Sequence, residues 1–392
     1  LVVSLAMLAI AACGKPTAPI LGALEPLDVT TADNVSGPRL SSGPDGRLTL
    51  SWMERHDDVA VLLFATLWDD GFSDPTTVAT EGRMFVNWAD LPSVLHVSDD
   101  HWVAHWLGYS ADKTYSYDVV LAQSFDNGKS WSAPMKAHTD GTQTEHGFVS
   151  MFRAPDGVGL IWLDGRVTPD KPMTLRTAVI SPEGERVHEQ EIDASVCDCC
   201  QTDVAVSSHG PIAVYRDRTT DEIRDIYVTR HDGERWQPGE RLHADNWEIP
   251  GCPVNGPSIV AGGDEVAVAW FSAADNKPIV RLVRSTDGGL TFAAPLVIAE
   301  GSLSGWVGLT HLPAGHAAVS WVSRDEQSNN TLHVAVISAD NEIVASGTVA
   351  SITPLRVCPM LGYQDGGLVL AWTNEIDDRR VLRAARYPVA LP

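Results

Sequence analysis

Along the chain, apolar runs of four or five residues end in an aromatic and are set between polar turns: LTLSW (Trp52), WVAHW (Trp106), GLIW (Trp162), IAVY (Tyr215), VAVAW (Trp270), AAVSW (Trp321) and LVLAW (Trp372). These aromatics lie 54, 56, 53, 55, 51 and 51 residues apart, close to the period of a four-stranded propeller blade. Before each run comes a turn such as GPDG, APDG, SSHG or LPAG, and before that another short strand. After it follow a polar loop, a third strand such as DVVLAQS or IVRLVRS, and a weaker fourth such as APLVIAE. No amphipathic helical pattern intervenes. The pattern predicts an all-β fold, a seven-bladed β-propeller of four-stranded blades, as one domain over residues 20–392.

The seventh repeat ends at VLRAARYPVALP without a clear outer strand, while ILGALEPLDVT (Ile20 to Thr30) stands spare before the first. An open ring would leave two unpaired sheet edges. The N-terminal segment is therefore expected to complete the last blade.

Residues 1–12, LVVSLAMLAIAA, form an uncharged apolar run ending in small residues, too short to span a bilayer and typical of an export signal. LAIAACGK resembles a bacterial lipobox, which implies lipidation of Cys13, a linker over residues 13–19, and a place in the bacterial cell envelope facing the periplasm or exterior. Membrane contact is expected through the lipid alone. With 51 acidic against 28 basic residues, the net charge of -23 argues against nucleic acid or an anionic surface as partner. The expected body is a monomer.

Two turns between third and fourth strands are more specific: SFDNGKSW (Ser124, Asp126, Gly128, Trp131) and STDGGLTF (Ser285, Asp287, Gly289, Phe292). An Asp carboxylate there can accept from turn backbone donors, Gly supplies a positive φ, and the aromatic packs between sheets. Both resemble the Asp-box of sialidases and related propellers. That resemblance implies a sialidase-like propeller, with six blades as the alternative count. It also implies an exo-glycosidase acting on terminal sialic acid or a related acidic sugar, with an arginine triad, a Tyr and Glu pair and an Asp acid/base. The candidates for such a site are Tyr215, Arg216, Asp217 and Arg218 in YRDRTTDEIRD, a stretch that equally suits an internal salt-bridge ladder. The family's Arg-Ile-Pro element has no match, and Arg39 in GPRL is nearest.

The cysteines carry the other candidate chemistry. Aligned on the aromatics, Cys197, Cys199, Cys200, Cys252 and Cys358 all map near the starts of innermost strands, at one channel mouth. If extended, Cys197 to Cys200 would point its sulfurs to both sides, so one ion could take all three only across a turn. Disulfides, a redox centre and a soft metal site each fit five thiols in an oxidising compartment. The spacing C-x-C-C is not the usual zinc C-x(2-4)-C pair. The leading expectation is a mouth that binds a soft metal, Cu(I) favoured, or a small ligand, with His146 and Met360 as accessory ligands. The alternatives are the glycosidase and a protein-interaction scaffold.

Overall fold

A computed structural model describes residues 20–353 and 358–391; the expected export signal, lipidated linker and Cys13 lie outside them. Seven antiparallel sheets follow one another in chain order. Their innermost strands are Val35–Ser42, Ser93–Ser98, His146–Ala154, Asp203–Ser207, Ser258–Gly262, Leu303–His311 and Met360–Gln364. The fold is a seven-bladed β-propeller, and the alternative of six blades is excluded. Six blades have four strands; in the first, the outer position is shared by Gly71–Phe72 and Thr76–Glu81, both paired with Val59–Trp68. Among the described residues the only helix is a 3-10 turn, Ala274–Asn276, and no helix is long and apolar enough to cross a membrane.

The N-terminal segment closes the ring. Glu25–Leu27 pairs antiparallel with Arg379–Pro388, with Glu25 opposite Arg386 and Leu27 opposite Ala384. Two further backbone bonds extend the junction, from the Gly22 N–H to Pro388 O at 2.8 Å and from the Ala390 N–H to Ile20 O at 2.9 Å. The seventh blade thus takes its outer strand from the far end of the chain.

All seven repeat aromatics sit on second strands and are buried. A second strand has blade neighbours on both of its faces, so its run is apolar without alternation: Gly157–Asp164 is buried at every position. A side chain as large as Trp carries ~150–250 Å² into such a core. Several anchors keep their polar atom partnered by a nearby acid. Trp52 Nε1 donates to Glu54 at 3.0 Å, Trp162 Nε1 to Asp164 at 2.8 Å, and the Tyr215 hydroxyl to Asp193 at 2.6 Å.

This connectivity places the loops between second and third strands, and those leading into each innermost strand, on one face, called here the upper face. The SFDNGKSW and STDGGLTF turns lie on the lower face and share one geometry. Asp126 Oδ1 accepts from the Ser124 hydroxyl and the Ser130 N–H, each at 2.8 Å, and Asp287 Oδ1 from the Ser285 hydroxyl at 2.6 Å and the Thr291 N–H at 2.9 Å. Gly128 and Gly289 adopt φ of 75° and 87°, and their N–H groups donate to Ser124 and Ser285 Oγ at 2.9 Å. Trp131 packs edge-on to Phe64, and Phe292 joins the core between the fourth and fifth blades.

Deleting residues 1–30 should expose the edge of Arg379–Pro388, lowering the urea midpoint and producing oligomers in sedimentation velocity. An unchanged midpoint and a monomer would deny the closing role of this strand.

Candidate functional site

Cys197 to Cys200 does not extend into the innermost strand of the fourth blade, which begins at Asp203. It forms a turn, held at both ends. The Cys197 N–H donates to Arg216 O at 3.0 Å, and Asp198 accepts from the Met173 N–H at 3.3 Å and from Arg218 Nη1 at 2.9 Å. Beyond the turn, Gln201 Nε2 donates to Ala89 O at 2.8 Å, and its Oε1 accepts from the Gly256 N–H at 3.1 Å. A Cβ on residue 256 would stand 2.1 Å from Gln201 O, so glycine lets the two blades approach here.

The turn does what an extended segment could not. The sulfurs of Cys197, Cys199 and Cys200 all lie within 4.8 Å of one another. Cys197 and Cys200 Sγ are 2.9 Å apart, longer than a disulfide bond of about 2.05 Å. Cys252, exposed on the loop between the fourth and fifth blades, stands beside Cys199 and makes a fourth thiol next to the three. Arg224 Nη1 donates to Cys197 Sγ at 3.4 Å. Hydrogen bonds from the Cys199 and Cys200 thiols, with the nearby Arg216 charge, hold the Cys197 thiol far below its ordinary range. Of the three, Cys197 is the thiol whose surroundings favour the thiolate, with Arg224 donating to its sulfur.

Cys358 stands apart. It is buried, its thiol donating to Trp88 O at 3.6 Å and accepting from Gln201 Nε2 at 4.0 Å, and burial pushes its pKa up to about 12. Strand-start mapping fixes height along the propeller axis but not direction around it, so four thiols converge where five were expected. Met360 belongs to the wall of the axial channel, which encloses about 870 Å³. His146 is not an accessory ligand of the thiols. It is fully buried between the second and third blades and stacked on His138 at 3.8 Å.

The residues proposed for a glycosidase site are already committed. Arg216 is buried, donates to Asn255 O, Arg224 O and Phe271 O, and lies over the Trp247 ring at 4.8 Å. It clamps the fourth blade to the fifth. Arg218 pairs with Asp198 at 2.9 Å and Glu222 at 2.7 Å, and Arg224 with Glu222 at 2.7 Å, so this stretch is an internal ladder. Tyr215 is buried against Asp193, and burial raises Asp217 to about 7. These arginines do not converge on a common space.

A second polar cluster on the upper face was not legible in the sequence. The Tyr117 hydroxyl donates to Glu145 Oε1 at 2.6 Å and lies 3.3 Å from Asp90 Oδ2. Burial raises Asp90 to about 8, and a protonated Asp90 supplies the hydrogen that the longer contact needs once the phenol proton goes to Glu145. Asp90 Oδ1 accepts from the Phe148 N–H at 2.7 Å. The signal for it is Gly147 in HGFVS, where a Cβ would meet Asp90 Oδ2 at 2.0 Å.

No family model matches this chain, and no curated protein matches it. Solved structures do resemble it. The alpha-L-arabinanase of Penicillium chrysogenum complexed with arabinobiose aligns with 82% of this chain and 99% of its own, at TM-score 0.50 and 15% identity. A mutant alpha-L-arabinofuranosidase of Fusarium graminearum in complex with an iminosugar inhibitor aligns with 83% and 99%, at 0.53 and 11%. A mutant NanB sialidase of Streptococcus pneumoniae aligns with 87% and 83%, at 0.48 and 8%. At these identities the likeness extends to the fold alone, a β-propeller, and it is the arabinanase and the arabinofuranosidase that carry it.

Asp90 sets the sign of a pH effect. Its pKa rises from 3.8 to about 8 on folding, so its stabilising contribution is full below pH 3.8 and declines as pH rises from about 4 to 8. Asp90→Asn keeps an acceptor for Phe148. The urea midpoint should therefore fall less steeply over that range in the variant than in the wild type, whereas parallel profiles would mean Asp90 is ionised throughout.

Proposed function

We propose that this propeller is a metal-binding protein of the bacterial envelope, tethered by a lipid on Cys13, which holds a soft ion, Cu(I) favoured, on Cys197, Cys199, Cys200 and Cys252. The carrying observation is the turn that gathers three sulfurs within 4.8 Å beside a fourth. A donor set of sulfur alone selects soft, thiophilic ions. Structural zinc sites usually draw ligand pairs from two short knuckles, whereas here three sulfurs come from one turn and one from another loop. Asp198, Arg218 and Glu222 brace the turn, and Arg224 offsets thiolate charge. Hydrolysis is not part of this reading.

Reduced protein titrated anaerobically with Cu(I) against a chromophoric competitor should bind one equivalent. Cys199→Ser should abolish that binding, and Arg224→Gln should weaken it about 10–100-fold, the usual effect of an outer-shell partner. Failure to retain Cu(I), or retention of Zn²⁺ in preference to it, would refute the copper assignment; a mass-mapped Cys197–Cys200 disulfide that persists in mild reductant would refute the metal site altogether.

A second reading, a glycan-acting enzyme, draws on Tyr117, Glu145 and Asp90. A Tyr and Glu pair beside a protonated carboxyl is the acid and nucleophile set that the Asp-box resemblance implies, and the arabinanase fold likeness stands on the same side. Turnover of fluorogenic sialosides or arabinosides that is lost in Glu145→Gln would favour it. The absence of turnover across both classes would remove it.

A further inference from the structure

Between the second and third blades, apart from the thiol site, two histidines and three aspartates are gathered, all of them buried except Asp140, which is half-buried. His138 and His146 are almost fully buried and stack nearly parallel, and Asp118, Asp140 and Asp164 surround them. Sequence spacing gave no hint of this set, because its members come from strands and loops of two blades.

The hydrogen bonds fix which nitrogen of each ring is free. His138 Nδ1 lies 2.6 Å from Asp140 Oδ2, and His146 Nδ1 lies 3.2 and 3.3 Å from the carbonyls of Thr144 and Tyr117. Acceptors at Nδ1 place the proton there and leave the Nε2 lone pair bare. Both Nε2 atoms are buried without a hydrogen-bond partner. His138 Nε2 faces Asp118 Oδ1 at 3.6 Å, and His146 Nε2 faces Asp140 Oδ2 at 3.3 Å and Asp164 Oδ1 at 3.7 Å. With the proton on Nδ1, each Nε2 lone pair faces carboxylate oxygens, which can donate nothing to it.

These separations suit donors that share an ion, since two ligands each about 2.1 Å from a metal stand roughly 3–4 Å apart. Carboxylate and carbonyl partners on the far nitrogens are what orient metal-binding imidazoles elsewhere. Lys136 engages Asp118 Oδ2 at 2.5 Å and Arg166 forks Asp164 at 2.8 Å on each oxygen. Arg166 Nη2 also stands 3.6 Å from Asp140 Oδ2, so each carboxylate has a cation beside it while the two Nε2 atoms have no partner. Two imidazolium ions instead would place like charges 3.8 Å apart in a buried site.

We propose that His146, through Nε2, with Asp140 and Asp164, holds a divalent first-row transition cation at the boundary of the second and third blades, with His138 stacked on His146 and donating to Asp140. A mixed nitrogen and oxygen set accepts Mn²⁺, Co²⁺ or Zn²⁺ and differs in kind from the sulfur site. Mn²⁺ separates the two, because it shuns thiolates, and Co²⁺ reports sulfur ligation by its charge-transfer bands.

Apo protein titrated with Mn²⁺ and followed by electron paramagnetic resonance should bind one ion. Cys199→Ser should bind it equally, while His146→Gln should lose at least about tenfold in affinity. The first equivalent of Co²⁺ bound by Cys199→Ser should lack sulfur charge-transfer bands and raise the melting temperature, a readout that does not depend on the histidine variant folding. Failure of Cys199→Ser to bind either ion, or nitrogen chemical shifts showing both rings as imidazolium, would overturn the proposal. Loss of Cu(I) binding alone would leave it standing.

Discussion

A blade of this protein can bury its apolar faces only against the blades on either side, so the core exists only when the ring is closed. Closure is made by the segment from Ile20 to Leu27, with Glu25–Leu27 pairing with the last strand of the chain. That contact spans nearly the whole sequence. It makes the seven-fold arrangement cooperative, with fully buried second strands such as Gly157–Asp164 clamped from both sides. Once the ring is fixed, each upper-face loop has a set position, and segments far apart in sequence are held edge to edge.

The chemistry on the upper face follows from that positioning. Arg216 bonds the Arg224 carbonyl within the fourth blade and reaches beyond it to the carbonyls of Asn255 and Phe271, lying over the Trp247 ring, and so anchors the floor under the cysteine turn. Arg218, Glu222 and Asp198 then form the ladder that keeps the turn bent. An arginine-rich stretch in a chain of net charge -23 serves here to set local potential. It draws thiolate character onto Cys197, and its guanidinium groups are spent on partners within the chain. The same logic of distant segments meeting at a blade boundary produces the Asp90, Tyr117 and Glu145 cluster and the histidine pair.

Much of the architecture was legible in the sequence because burial repeats: Trp52, Trp106, Trp162, Tyr215, Trp270, Trp321 and Trp372 mark equivalent positions in seven units, and the spare segment after Ile20 fits the missing strand. The site was legible only in part. The repeat sets height along the axis, which is why Cys197, Cys199, Cys200 and Cys252 meet. It does not set direction, so Cys358 turns toward Trp88 and Gln201, and His146 toward the blade boundary. Tyr117 and Glu145 carry no local motif at all, being joined only by a pairing between two blades.

Whether the cysteine turn holds a soft ion rests on what surrounds that ion when it is bound. X-ray absorption at the copper edge of protein loaded with one Cu(I) tests it most directly. The first shell should be sulfur alone, with at least three sulfurs, and should change in Cys199→Ser. A shell dominated by nitrogen or oxygen, or one unchanged by that substitution, would contradict a soft-ion site.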